Sequence, residues 1–233
     1  MERQLALALG DDALVLGHRL SEWCGHAPAL EIDLALANMG LDLLGQAQFF
    51  LARAGEIEGK GRDADAMAYR RNEDEFCNCL LVEQPNGDFA RTVARQFLFS
   101  AWQELNFGAM AGGGDAQMVA IAGKARKEVT YHASFAADWV VRLGDGTAES
   151  RRRMVDGLDF CWRFTDELFV GDAAGLRAAW DARVNEVLAE AGLERPKAVR
   201  GIVGGREGRH SEHLGHMLAE MQYLQRSFPD AVW

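Results

Sequence analysis

The chain has 233 residues, of which 48% are hydrophobic, a length and composition that allow it to bury a sizeable core. Its net charge of −10, from 25 basic and 35 acidic residues, argues against the basic footprint that nonspecific nucleic-acid binding needs. The apolar runs fall far short of the roughly 20 residues of a membrane span, and the N-terminus lacks the pattern of an export signal. Four cysteines without a Cys-x-x-Cys motif indicate reduced thiols, so we expect a cytoplasmic protein that binds neither nucleic acid nor membrane.

Apolar residues recur three and four positions apart through most of the chain, which is typical of amphipathic helices. Strand-like alternation is nearly absent, and each of the four prolines falls at a break in the periodicity. We predict a first helix over residues 5–23 and a second over 30–54. The second is so apolar that we expect it to be buried on most sides. A polar linker and a shorter helix over 66–82 follow.

Turn and capping signals define the next two long helices. The sequence Pro-Asn-Gly-Asp at 85–88 is typical of a turn, and Asp88 is the predicted N-cap of a helix over 89–110. Three glycines at 112–114 end that helix, and Asp115 is predicted to cap the next, over 116–143. The remaining predicted helices cover 149–169, 172–191 and, after a glycine-rich loop, 210–228.

Long helices joined by short connections predict an all-α, up-and-down helical bundle. We predict one domain over residues 1–233, with a core bundle over about 5–143 and packed C-terminal helices over about 147–228. The C-terminal helices are rich in large apolar residues, so we do not expect them to stand alone.

A metal motif is present in this pattern only in part. A carboxylate-bridged di-iron bundle needs a carboxylate from each of two helices and Glu-x-x-His from each of the other two. The helix predicted over 116–143 has His132, but the residue three before it is Val129. In the second helix, Leu43 and Gln46 have the spacing of such a Glu and His.

The other two long helices do not complete the motif. The inward candidate of the first helix is Ala13, and Glu104 of the third has no partner motif. One histidine cannot hold two metal ions, so His132 is either a residual ligand or a hydrogen-bonded histidine of the core. A bundle with apolar residues in its ligand positions suggests a helper of an oxygenase and not the oxygenase centre itself.

A second candidate metal site lies near the C-terminus. Glu207 and His210 form a Glu-x-x-His, and His210, His213 and His216 are spaced three apart. Imidazoles at this spacing share a helix face and are able to ligate zinc. The alternative is capping and polar packing at a helix N-terminus, since Gly208 places Glu207 at or before the helix start. We expect the three imidazoles not to converge on one point. The alternative function is an independent metal-dependent enzyme that uses these histidines or a residual site in the bundle.

Short segments spread over nearly the whole chain resemble one family. The resemblance is to the C subunit of the bacterial ring-1,2-phenylacetyl-CoA epoxidase, a multicomponent oxygenase of phenylacetate breakdown. The stretch over 83–89 is quite specific to it. The segments are Leu-Gly-Asp-Asp at 9–12, Ser-Glu-Trp-Cys-Gly-His at 21–26, Leu-Ala-Asn at 36–38, Leu-Asp-Leu-Leu-Gly-Gln-Ala at 41–47, Leu-Val-Glu-Gln-Pro-Asn-Gly-Asp-Phe at 81–89, Lys-Glu at 127–128 with Tyr-His at 131–132, Leu-Gly-Asp-Gly-Thr at 143–147, Gly-Gly-Arg at 204–206, Glu-His-Leu-Gly at 212–215 and Gln-Tyr-Leu-Gln-Arg at 222–226.

The resemblance implies a ferritin-like fold that has lost its own iron centre, so no catalytic, cofactor-binding or metal residue carries over. It implies a non-catalytic structural subunit that pairs with and supports the catalytic A subunit, which holds the di-iron centre and binds the CoA ester. A separate reductase with FAD and an iron–sulfur centre supplies electrons from NADPH. The expected partners are the A subunit and the other epoxidase subunits, including the reductase. We place the A-subunit interface on the first two helices and expect the isolated chain to form a homodimer over part of the same surface.

Overall fold

Helices make up the regular secondary structure of the computed structural model, which describes residues 2–197, 200–229 and 231. No strand occurs within those ranges, and the all-α prediction is confirmed. Short 3-10 helices lie at Glu73–Glu75, Thr165–Phe169, Gly171–Leu176 and Gly205–Glu207. The α-helices are α1 (Glu2–Ser21), α2 (Leu30–Glu58), α3 (Ala64–Tyr69), α4 (Leu80–Glu83), α5 (Phe89–Met110), α6 (Ala116–Gly144), α7 (Ala148–Trp162), α8 (Arg177–Glu190), α9 (Glu212–Met221) and α10 (Tyr223–Ser227).

The four long helices α1, α2, α5 and α6 lie where the periodicity predicts them, within a few residues at each end. Both predicted caps are confirmed. The Asp88 carboxylate accepts a hydrogen bond from the backbone N–H of Arg91 at 2.9 Å. The Asp115 carboxylate accepts from the N–H groups of Gln117 at 3.0 Å and Met118 at 2.9 Å. Each cap satisfies N–H groups that have no partner within the helix.

The prediction of one helix over residues 66–82 is wrong, because the chain there is broken into α3, a 3-10 turn and α4. Between the last two pieces the backbone is extended and donates to side chains of α1. The N–H of Cys77 donates to Asp11 at 2.9 Å, and the N–H of Cys79 donates to Asp12 at 2.7 Å. These long-range bonds replace the hydrogen bonds that a continuous helix would make.

The three C-terminal predictions are right in position but too long. The helix predicted over 149–169 ends at Trp162 and continues as a 3-10 helix, and the one predicted over 172–191 begins as a 3-10 helix before α8. The helix predicted over 210–228 is two helices, α9 and α10, with His210 before the first. At their junction the Gln222 amide donates to the carbonyls of Ala68 at 2.9 Å and Arg71 at 3.0 Å.

The chain divides into two compact units, Met1–Pro85 with Gly204–Trp233, and Asn86–Val203. In the first unit α1 and α2 form an antiparallel hairpin with an unusually close crossing. A Cβ added to Gly17 would lie 3.2 Å from the carbonyl oxygen of Gly40, so the two glycines allow the backbones to approach. The prediction of a single domain over 1–233 stays a prediction.

In the second unit α5 and α6 form a hairpin against which α7 and α8 pack. A Cβ added to Gly157 of α7 would lie 2.9 Å from the Cα of Arg91, so α7 rests directly on the backbone of α5. The indole N–H of Trp180, fully buried on α8, donates to the carbonyl of Leu98 at 2.9 Å. Both contacts tie the C-terminal helices of this unit to α5.

Replacing Gly208 with alanine is expected to lower the free energy of unfolding by about 2 kcal/mol or more. Gly208 has φ +76°, which costs an L-residue roughly 1–2 kcal/mol, and its added Cβ would overlap the carbonyl oxygen of Asp74. Gly59 is the matched control, since it has φ +71° with no atom within 4 Å of an added Cβ. Urea unfolding of the two variants should show the larger loss for Gly208→Ala, and equal losses would contradict the steric argument.

Candidate functional site

The ligand positions of the first unit are buried and lack carboxylates. Ala13 of α1 and Leu43 of α2 are 0% exposed, and Gln46 is 3% exposed. A methyl or isobutyl side chain has no lone pair to offer a metal ion, and a neutral amide is a weak substitute for the imidazole of a Glu-x-x-His motif. The positions therefore do not fit half of a di-iron centre.

The corresponding positions of the second unit lie on α6. Val129 and His132 are both 0% exposed, so the apolar residue fills the position that the glutamate of the motif would occupy. Glu104 of α5 is not an inward carboxylate, because it accepts a hydrogen bond from the Thr130 hydroxyl at 2.8 Å on the exposed side of the hairpin. The donor set again does not fit two metal ions, and the prediction that His132 is hydrogen-bonded stays a prediction.

A buried polar stripe on α5 was not predicted. Gln96, Ser100 and Gln103 are each at most 2% exposed, and the Gln96 amide donates to the Ser100 hydroxyl at 2.8 Å. Polar residues spaced four and three apart within an apolar helix were the signal in the sequence. Amides and a hydroxyl are neutral, so burying them needs hydrogen bonds but no opposite charge.

Replacing Val129 with glutamate restores the Glu-x-x-His spacing and is expected to cost about 2 kcal/mol of stability, because it buries a carboxyl group with no partner designed for it. Iron bound to the variant, measured by elemental analysis, should stay substoichiometric. Ser134→Glu, at an exposed position of the same helix, serves as the control and should change stability by no more than about 0.5 kcal/mol. Stoichiometric iron in Val129→Glu would show that the remaining donors form a site.

The C-terminal histidines have separate environments. His210 lies just before α9, with Nδ1 2.8 Å from Glu83 Oε2 and Nε2 3.0 Å from the carbonyl oxygen of Phe76. Glu207 instead pairs with Arg209 at 2.7 Å on the surface, and His216 is exposed. Across the residues that the structure describes, no three His, Cys, Asp or Glu side chains are placed to hold a metal ion.

Two adjacent carboxylates of α1 anchor distant parts of the first unit. Asp11 is 0% exposed and forms a bidentate pair with Arg71, whose guanidinium also lies 4.2 Å from the centre of the Phe76 ring. Asp12 is 1% exposed and pairs with Arg206 at 2.6 Å. Burial raises the pKa of Asp12, and the charge of Arg206 opposes that shift. The signal that sequence reasoning passed over was a pair of acids inside an apolar helix.

One face of α2 is apolar and exposed. Leu30, Leu34 and Leu41 are 71%, 56% and 66% exposed, and Phe49 further along the helix is 45% exposed. Spacings of four and seven residues place the three leucines on one side of the helix. The prediction that α2 is buried on most sides is therefore wrong for this face, because α1 packs against the opposite side of α2.

The four cysteines, all within the described ranges, form no disulfide, and Cys24 is exposed while the other three are buried. Burial raises the pKa of the Cys161 thiol to about 12, which keeps it protonated and unreactive near neutral pH. Among the described residues, no helix combines the length and apolar character needed to cross a bilayer.

The helical hairpins, together with buried ligand positions of the di-iron type, define an all-α protein of the ferritin-like class. The chain belongs to the family described as phenylacetic acid catabolic protein, whose sequence model matches residues 2–233. It is also 50% identical over 241 aligned positions to the C subunit of 1,2-phenylacetyl-CoA epoxidase from Escherichia coli (strain K12), covering 97% of each chain. The family resemblance seen in the sequence is thus confirmed.

Proposed function

We propose that this chain is a non-catalytic structural subunit of a ring-1,2-phenylacetyl-CoA epoxidase in aerobic phenylacetate catabolism. The observation that carries the proposal is the 50% identity to the Escherichia coli protein over 97% of both chains. Similarity that extends over 97% of both chains supports the same place in the same kind of complex.

The lack of catalytic function in this chain is supported by its ligand positions. Ala13, Leu43 and Val129 are buried hydrocarbon side chains where a di-iron protein needs carboxylates. We therefore assign no catalytic, cofactor or metal residue to this chain. In the complex, the A subunit holds the di-iron centre, and a reductase with FAD and an iron–sulfur centre delivers electrons from NADPH. A CoA-ester substrate and cysteines that form no disulfide fit a cytoplasmic enzyme.

A subunit without an active site acts through an interface, and we place that interface on the apolar face of α2. Leu30, Leu34 and Leu41 would each lose contact with water when a partner covers them. Interfaces of permanent complexes typically bury on the order of 2,000 Å² or more and have an apolar centre. The A subunit is the proposed partner on this face. In its absence we propose that two copies of the chain pair over part of the same face, because a symmetric dimer is the commonest closed assembly.

Metal analysis separates this proposal from an independent metalloenzyme. The chain, expressed alone in iron- and zinc-supplemented medium and purified without chelator, should contain no stoichiometric metal. The A subunit prepared in the same way is the positive control and should contain iron. Stoichiometric iron or zinc in the chain, lost in a His132→Gln or His213→Gln variant, would overturn the structural role.

A further inference from the structure

A buried pair joins α4 to the segment just before α9. The Glu83 carboxyl and the His210 imidazole are both 0% exposed and lie 2.8 Å apart. The neighbouring backbone takes part as well, since the N–H of Ser211 donates to the other Glu83 oxygen at 2.7 Å. The pair thus holds the chain around residues 204–211 against the extended stretch that contains Phe76.

The hydrogen-bond partners of His210 and Glu83 indicate the protonation state of the pair. The Phe76 carbonyl only accepts, so the Nε2 atom of His210, 3.0 Å away, carries a proton. Glu83 accepts from the Asn78 amide at 2.8 Å and from the N–H of Ser211, and two such donors favour the ionised carboxylate. The Nδ1 atom of His210 faces that carboxylate and must donate to it. These contacts favour a buried imidazolium at His210 over the alternative, in which a protonated Glu83 donates to a neutral ring.

We propose that the segment Gly204–Ser211 is a proton-dependent latch, held against residues 76–83 by the proton that His210 shares with Glu83 and released when that proton is lost. The proposed structural role does not require the latch, so the failure of either proposal would leave the other unaffected.

Charged groups lie on each element that packs against the pair. From α1, the Arg19 guanidinium donates to the backbone carbonyl of Glu83 at 3.1 and 2.8 Å. From the 3-10 turn, the carboxylate of Glu73 attracts the imidazolium. Within the latch segment, the Arg206 guanidinium forms an ion pair with Asp12 at 2.6 Å.

The balance of these influences favours the charged histidine. Burial lowers the pKa of His210, but the hydrogen bonds to Glu83 and Phe76, with the charges of Glu83 and Glu73, raise it above its ordinary value of 6.5. A raised pKa in the closed state gives stabilisation that is complete below pH 6.5 and is lost as the pH rises through the raised value. Between these two pKa values, opening releases one proton, and the opening equilibrium should grow about tenfold per pH unit.

Amide hydrogen exchange of the full-length chain between about pH 6 and 9 tests the latch. After correction for the intrinsic exchange rate, protection of residues 204–213 in the wild type should fall with a slope approaching tenfold per pH unit above the usual histidine pKa of about 6.5. His210→Gln should remove that slope. His216→Gln, which changes an exposed histidine of α9, should retain it. A flat wild-type profile, or an unchanged slope in His210→Gln, would overturn the latch.

A second measurement, made on the wild type, tests the latch even if His210→Gln does not fold. The ¹⁵N chemical shifts of the imidazole ring distinguish an imidazolium from either neutral tautomer. At pH 7 we expect both ring nitrogens of His210 to be protonated. A neutral His210 ring at pH 7 would contradict the proposal.

Discussion

Replacing Arg71 with methionine is expected to lower the free energy of unfolding by about 3–5 kcal/mol, as observed when one partner of a buried ion pair is removed. Arg71 is 2% exposed and Asp11 is 0% exposed, so the substitution leaves a carboxylate in the interior without its opposite charge. The guanidinium also donates to the carbonyl of Glu75 at 3.0 Å, and that acceptor would lose its donor too. Urea unfolding followed by circular dichroism measures the change.

Arg152→Met is the matched control for this prediction. Arg152 also contacts two carboxylates, Glu149 at 2.9 Å and Asp156 at 2.8 Å, but all three side chains are more than half exposed. Exposed pairs of this kind are screened by solvent and contribute little, so Arg152→Met should leave the free energy of unfolding nearly unchanged. Removing the buried partner as well, in Asp11→Leu with Arg71→Met, should restore part of the stability. A loss below about 1 kcal/mol in Arg71→Met would show that the buried pair does not hold the first unit together.

Replacing Leu34 and Leu41 together with glutamate is expected to weaken binding to the A subunit by at least about 100-fold, since each central interface residue contributes around 2 kcal/mol. The two leucines are 56% and 66% exposed, so the chain itself should keep its stability. Two carboxylates would instead have to lose their hydration when the partner covers the face. Affinity measured by calorimetry or biolayer interferometry with purified A subunit gives the number.

Val155→Glu provides the control, because Val155 is an apolar residue of α7 that is 39% exposed but lies outside the proposed interface. It should bind the A subunit as the wild type does. The double variant of α2 should also be a monomer in sedimentation experiments on the isolated chain. Unchanged affinity in the double variant would place the A-subunit interface elsewhere. A double variant that still forms a dimer would show that self-association uses another surface.

The long helices were predictable because local signals define them. Periodicity marks their apolar sides, and a single aspartate, Asp88 or Asp115, marks the start of α5 or α6 within one turn of the residues it caps. The segment over 66–82 was not predictable in the same way. Its break depends on hydrogen bonds from Cys77 and Cys79 to carboxylates 66 and 67 positions away, which helical periodicity does not reveal.

In the candidate site, too, local features were predictable from the sequence and long-range pairs were not. The apolar residues at the ligand positions, such as Val129 three before His132, follow from spacing on one helix and were evident in the sequence. The Asp11–Arg71 pair joins residues 60 positions apart, and Glu83–His210 joins residues 127 apart. Spacing of three residues among His210, His213 and His216 suggested a shared metal face. The helix, however, begins at Glu212, so His210 lies outside that face.

Epoxidation of phenylacetyl-CoA by purified A subunit and reductase, with and without this chain, tests the structural-subunit proposal most directly. NADPH consumption and epoxide formation are followed while the chain is added from zero to excess. We expect turnover to require the chain and to saturate when every A subunit is bound. Equal turnover by the A subunit and reductase in the absence of the chain would contradict the proposed role.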